Sequence, residues 1–427
     1  VFLGRTTASP SSSDLLGRVS DILNARLDAA AKAPLAVAFS GGGDSLALLI
    51  TACAWAHGCG RHVLALTVDH RLQPASEAWT HACATTAARL GAGFEALAWT
   101  DPKPERGLPA AARAARHRLL ADAARSAGAR VLLIGHTRDD VAEAQAMRAA
   151  GSTTPDPRDW TPSPAWPEGR GLFLSRPLLG AGRAEIRAWL EAQGETWIDD
   201  PANADVRYAR ARARAAGVGD ATTPASAQPH VPRLALAARA EPWGGLSIAR
   251  AALRDAPPDA ARAFLAAACL CVAGGAKPPR GERAARLAGR IAGASPVTAT
   301  LAGARIEADD EEIRFMREAG ETARGGMAPL ALPSGVPTVW DGRFELTAHG
   351  ETRTILPLAG LAARLSQAAR RALSEIPRGA RGALPAVVDD VGQAACPLLE
   401  PISGLAISAL AHQRLLAACG AITREPG

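Results

Sequence analysis

The chain has little of what usually announces a metal centre, a secreted scaffold or a membrane protein. Its seven cysteines, at positions 53, 59, 83, 269, 271, 396 and 419, are odd in number, scattered, and form no Cys-x-x-Cys pair. That pattern speaks against a disulfide framework and against a zinc or iron–sulfur site, and fits reduced thiols. Long apolar runs are also missing. The first twenty residues hold no apolar signal core, and the best apolar stretch, 264–273, is too short to span a bilayer, so a cytoplasmic protein without a membrane partner is expected. Aromatic residues make up only 4% of the 427 positions, with a single tyrosine. Alanine, arginine, glycine and proline abound instead, which lowers the weight of alanine-rich helical patterns. The net charge of +6 favours a polyanionic partner, and the length implies two or three domains.

What is present begins with Ser40-Gly41-Gly42-Gly43-Asp44-Ser45, between the apolar runs 35–39 and 46–50. This reads as strand, glycine turn and helix start. Three glycines let successive N–H groups converge on an anion at a helix N-terminus. No Gly-Lys-Ser/Thr follows, and the spacing is not GxGxxG, so neither a Walker A loop nor a dinucleotide fingerprint is present. Strand-like runs at 35–39, 62–68, 94–99 and 130–134 alternate with helix-length segments such as 76–90 and 108–127. Such alternation implies parallel βαβ units in a doubly wound sheet, with ligands beyond the carboxyl ends of the strands. Ser40–Ser45, Asp69-His70 and Gly135-His136 fall at those ends.

The segment from Gly135 to Glu143 is the second concentration of chemistry. A helix starting near Thr137 puts Asp140 and Glu143 on one face, where carboxylates can hold Mg²⁺. Standing alone, acidic residues in a first helical turn are ordinary decoration. Arg113 and Arg116 likewise share a helix face, which alone would be a solvated basic stripe. The stretch 151–171, rich in proline and threonine, is expected to be a mobile loop, and 217–232 a linker. Beyond it, 258–272 and 280–291 read as helices and 296–315 as two short strands.

In order along the chain these motifs resemble a known family. Ser40–Ser45 is similar to the SGGxDS signature of PP-loop ATP pyrophosphatases. The segment 135–144 resembles the GHHxDDQAET of tRNA(Ile)-lysidine synthetases. The resemblance continues through Asp69-His70 (family VDHGLR), residues 112–117 (ARxxRY), Arg176-Pro177-Leu178-Leu179, residues 197–205 and the basic run 208–214 (YxRNRxR). It implies an α/β fold with a doubly wound, mostly parallel sheet in an N-type PP-loop domain at 1–218. A linker at 219–232, a mainly helical tRNA-binding region at 233–325 and a smaller α+β domain at 326–427, also tRNA-binding, would follow.

The resemblance also implies an activity: ATP-dependent ligation of L-lysine to C2 of the wobble cytidine in the CAU anticodon of tRNA(Ile), through an adenylated cytidine, releasing AMP and pyrophosphate. Ser40, Gly41, Gly42, Gly43, Asp44 and Ser45 would then cradle ATP. Asp44, Asp139 and Asp140 would hold Mg²⁺, and Arg113 or Arg116 would face the α-phosphate. Glu143 would bind or deprotonate the lysine amine, and His136 would contact nucleotide or substrate. Arg207, Arg210, Arg212 and Arg214 would grip tRNA phosphates. Departures from the family pattern are Arg71, Gln73, His117, Val141, Ala144 and Ala211; none removes a loop glycine or an acidic residue, so they bear on substrate-side contacts. Two other readings stand beside this one. A tRNA thiolase of the same superfamily is opposed by the missing Cys-x-x-Cys, and a weakened nucleotide- or tRNA-binding paralogue is suggested by Gln73, Val141 and Ala144.

Overall fold

The computed structural model describes residues 14–73, 75–152, 157–199, 230–389 and 392–427. Arg207, Arg210, Arg212, Arg214, Ala211 and most of the expected linker lie outside them. The chain divides into two compact units, one of residues 1–226 with 422–427 and one of residues 227–421. The division falls inside the expected linker. Residues 422–427, assigned from sequence to the last domain, belong instead to the first unit.

The first unit is built on strands β1 (Leu35–Ala38), β2 (Val63–Asp69), β3 (Gly93–Ala98), β4 (Val131–Ile134), β5 (Trp160–Pro162) and β6 (Phe173–Ser175) in the order β3-β2-β1-β4-β6-β5. All neighbours are parallel except β5, which runs antiparallel to β6. Helices α1 (Asp14–Arg26), α2 (Gly43–Cys59), α3 (Ser76–Arg89), α4 (Leu108–Ser126), α5 (Arg138–Ala149) and α6 (Arg183–Ala192) accompany it. Successive strand residues face opposite sides, and β4 shows the consequence. Val131 and Leu133 pack in a cluster with Leu46 and Leu49 of α2 and Leu190 of α6, while Leu132 and Ile134 pack with Leu120 and Ala124 of α4. Each fully buried leucine contributes about 1.5–3 kcal/mol. Because β1 lies between β2 and β4, the chain leaves it in one direction and later returns on its other side. The crevice at that reversal is bounded by the turns after β1 and β4.

The expected loop at 151–171 is partly strand. Trp160 stacks on Phe173 with ring centroids 5.1 Å apart and donates its indole N–H to the Ile422 carbonyl at 2.9 Å. Pro162 sits on an edge strand, where its missing N–H breaks no interior ladder, so proline richness misled the reading. Residues 422–427 also close over Arg61. The guanidinium donates to both Glu425 carboxylate oxygens at 2.8 and 2.5 Å, with both side chains at or below 1% exposure. Glu425 Oε2 also accepts from the Asp28 N–H at 3.1 Å, and the Glu425 N–H donates to the Arg26 carbonyl at 2.8 Å.

In the second unit, the region read as mainly helical also carries a five-stranded antiparallel sheet: 239–240, 246–249, 312–317, 304–308 and 297–301 in spatial order. Helices Pro258–Val272 and Gly281–Ala292 contribute to the same core. Arg250 is fully buried there and donates to the carbonyls of Ile291, Asp309, Gly293 and Ser295 at 3.0, 2.6, 2.8 and 2.6 Å. A charge so placed is held by main-chain dipoles rather than by a carboxylate. The remaining strands form a four-stranded and a three-stranded sheet. Among the described residues, no helix is long and apolar enough to cross a membrane.

Candidate active site

The turn after β1 is shaped by two demands. Gly41 has φ +81°, and a Cβ there would lie 2.6 Å from Ile198 Cδ1 and 3.0 Å from Cys83 Sγ. The left-handed backbone disfavours any other residue, and a side chain there would also have to push the Ile198 tip aside. Ser45 closes the turn: its hydroxyl donates to the Gly42 carbonyl at 2.9 Å and accepts from the Ser40 N–H at 3.2 Å. Gly42 and Gly43 are different, because a Cβ at either would meet nothing closer than 3.7 and 3.5 Å. A Cβ there would stand in ordinary contact with Ser40 and Ile198 or with Leu190 and Trp197, so space does not demand these glycines, whereas close approach of a phosphate to the backbone at the start of α2 would favour them. Gly135, just past β4, would bring a Cβ within 3.0 Å of the Asp44 carbonyl oxygen. Its bareness lets the second turn press against the first.

The acidic helix is thereby delivered to the loop. Thr137 caps α5, and Asp140 Oδ2 accepts from the Thr137 N–H at 2.9 Å and from its hydroxyl at 3.1 Å. Asp140 Oδ1 points to Arg183 Nη2 at 3.3 Å. The same guanidinium donates through Nε to Asp44 Oδ2 at 3.1 Å and through Nη1 to Glu143 Oε1 at 3.0 Å. Asp139, by contrast, accepts from the Arg183 backbone N–H at 2.8 Å, anchoring the first turn of α6. Three of the four expected acids therefore meet around one cation. Burial pushes the Asp44 carboxyl above its usual range, Arg183 pulls it back, and neighbouring Asp140 pushes it up again.

Hard carboxylate oxygens converging beside a phosphate cradle are a donor set suited to Mg²⁺, which takes few protein ligands and keeps water or phosphate for the rest. Asp44 and Asp140 fit that role by position; Asp139, turned to α6, holds the helix end. Among the described residues no group of three or more His, Cys, Asp or Glu side chains is arranged to hold a metal ion, so the protein would supply at most the two carboxylates of Asp44 and Asp140.

The other side of the crevice is basic. Buried His136 accepts at Nδ1 from Arg176 Nε at 2.9 Å, and Arg176 Nη1 donates to the Arg158 carbonyl at 2.7 Å and the Thr161 hydroxyl at 3.1 Å. Burial, with Arg113 nearby, lowers Arg176 to about 10. Arg113 and Arg116, both ahead of His117 on α4, act on its ring, and Arg116 also acts on His70 at the end of β2, whose ring burial and that charge hold below its usual value. Arg71 follows at φ +52°, its N–H held by Asp69 Oδ1 at 2.7 Å. This left-handed backbone explains why the family pattern has glycine there.

His117 is 6% exposed, and burial first, then Arg116, Arg113, Arg176 and His136, depress it to about 2. Its unfolded value is near 6.5, so below that pH the unfolded chain takes up a proton that the folded chain refuses. Stability is therefore fullest above pH 6.5 and declines as pH falls. In urea titrations between pH 7.5 and 5.5, wild type is expected to lose up to about 1.4 kcal/mol per pH unit below 6.5 beyond the loss in His117→Tyr. Equal pH dependence would show that the ring is not held neutral.

Sequence reasoning missed Arg183 and gave Arg176 no role. Arg176 had a signal, the Arg-Pro-Leu-Leu motif; Arg183 had none, since only the return of the chain to α6 brings it to the acids.

A PP-loop domain family model matches residues 16–218. The tRNA(Ile)-lysidine synthase of Caulobacter vibrioides is 50% identical over 416 residues, covering 96% of this chain and 99% of that protein. The synthase of Hyphomonas neptunium is 36% identical over 326 residues, covering 71% and 86%, and that of Rhizobium meliloti 33% identical over 341 residues, covering 75% and 74%. Likeness of this degree along nearly the whole of both chains means that the chain belongs to the tRNA(Ile)-lysidine synthase family.

Proposed function

We propose that the chain uses ATP and Mg²⁺ to join L-lysine to C2 of the wobble cytidine in the CAU anticodon of an isoleucine tRNA. The observation that carries this reading is the meeting of a glycine-rich turn at a helix start, an acidic pocket and a basic wall at one switch point of the sheet. A pyrimidine C2 oxygen is a poor leaving group. In the first step that oxygen attacks the α-phosphorus of ATP, the bond to the β-phosphate oxygen breaks, and pyrophosphate departs. The lysine ε-nitrogen then attacks C2, the C2–O bond breaks with AMP carrying the oxygen away, and the amine gives up a proton.

The backbone N–H groups of the Gly41–Ser45 turn would receive the phosphates. Asp44 and Asp140 are the residues that would hold Mg²⁺, which when bound offsets phosphate charge. Arg113 or Arg116 would meet the charge that grows on the α-phosphate. Glu143, 3% exposed, would hold the lysine ammonium or take its proton. His136 is oriented by Arg176, so that its ring is fixed before substrate arrives.

For the tRNA, Arg207, Arg210, Arg212 and Arg214 remain the proposed phosphate contacts. Support from the second unit comes from helix Gly281–Ala292, where Ala284, Leu287 and Ile291 are buried while Arg283, Arg286 and Arg290 are exposed. The departures Val141 and Ala144 are both buried, at 4% and 3% exposure. They therefore act as packing residues and give no support to a weakened paralogue.

Labelled lysine should enter a CAU-anticodon isoleucine tRNA with an unmodified cytidine and not the elongator methionine tRNA that shares the anticodon. Equal labelling of both would overturn the substrate assignment. Labelling of neither, with ATP still bound, would overturn the reaction.

A further inference from the structure

Arg183 is the meeting point of the acidic pocket, and its backbone and side chain do separate jobs. The main chain is pinned: the Arg183 N–H is held by Asp139, the Arg138 N–H donates to the Ala181 carbonyl at 3.0 Å, and the Gly182 N–H donates to Glu185 Oε2 at 3.3 Å. A Cβ on Gly182 would come within 2.8 Å of Arg138 Nη2, so the Arg138 guanidinium would have to move aside. The guanidinium, by contrast, spreads three nitrogens over three different carboxylates, those of Asp44, Asp140 and Glu143. Its side chain keeps 17% exposure while Glu143 keeps 3%.

We propose that Arg183 is the resident counter-ion of this pocket, occupying with its own charge the place that the divalent cation and the lysine ammonium take, and so setting how tightly both bind. The proposal rests on the reading of the pocket as a cation site. Three carboxylates without a partner repel one another and lose hydration together, so an empty pocket of this composition is costly. A tethered guanidinium avoids that state, and its displacement needs rotation of one side chain while the helix start stays in place. Arginine is the residue suited to it, because a lysine ammonium presents a point charge where three separated acceptors need a fork. Arg183 thus acts through the carboxylates as a positioning residue and as an internal competitor.

The test uses the full chain without tRNA, lysine or ATP, with Mn²⁺ as the probe and its binding read by electron paramagnetic resonance. Arg183→Gln removes the competing charge and is expected to tighten Mn²⁺ binding about tenfold, with Arg183→Lys between it and wild type. In turnover assays, R183Q should combine a lower KM for lysine with a lower kcat, since the carboxylates are no longer held in register around one cation. If R183Q does not fold, Arg183→Met, which also removes the charge while keeping a long side chain, carries the measurement. Unchanged or weaker Mn²⁺ binding in the folded variants would overturn the proposal and leave Arg183 a structural tie. Failure of lysine transfer in wild type would instead sink the functional reading and leave the metal measurement intact.

Discussion

Asp44→Asn and Asp140→Asn should each cut Mg²⁺-dependent pyrophosphate release by about a thousandfold or more, the scale at which removing one preorganised electrostatic contact to a reacting phosphate acts. Each change removes a carboxylate charge with almost no change in volume. Asn at 140 can still accept from the Thr137 N–H, so the cap on α5 survives and the fold should melt within about 1 kcal/mol of wild type. At 44 the folded protein has already raised the cost of the charged form by burial. An uncharged amide there should be tolerated structurally while being useless to a cation. Thermal melts alongside a pyrophosphate-release assay separate the two effects, and near-normal turnover in either variant would remove that residue from the metal role.

The second large effect is on stability. Glu425→Gln leaves the Arg61 guanidinium, buried with 0% side-chain exposure, facing a neutral amide, and should cost about 3–5 kcal/mol in urea unfolding. The double variant Arg61→Met/Glu425→Leu removes both charges and should recover most of that loss, because the desolvation penalty disappears with the pair. A Glu425→Gln protein as stable as wild type would show that residues 422–427 do not hold the first unit together. Recovery in the double variant would tie the loss to the uncompensated charge rather than to a disturbed backbone.

The parallel sheet was legible because β1 and β4 are short apolar runs that end in glycine turns, and because strands and helix-length segments alternate. The switch point followed, since the two turns that carry chemistry sit after strands that become neighbours. Other features were not legible for identifiable reasons. Asp139 and Asp140 are adjacent in sequence, but neighbours on a helix point about 100° apart. One faces the pocket and the other the start of α6. Strand β5 was hidden by prolines that an edge position tolerates. In the second unit, 246–249 is too short for its alternation to register, although Ala304, Ile306 and Ala308 show the period clearly once paired. The Arg61–Glu425 pair joins positions 364 residues apart, with no periodicity to announce it.

That last contact has a bearing on how the protein is made. Synthesis runs from the first residue onward, so the glycine turn, the acidic helix and the sheet emerge from the ribosome well before residues 422–427, with all of residues 227–421 in between. During that interval Arg61 waits without its carboxylate and the Trp160 indole without the Ile422 carbonyl. A product cut short within residues 227–421 would carry every proposed catalytic group of the first unit yet leave the Arg61 guanidinium without its carboxylate, a less stable fold more open to chaperones and proteases.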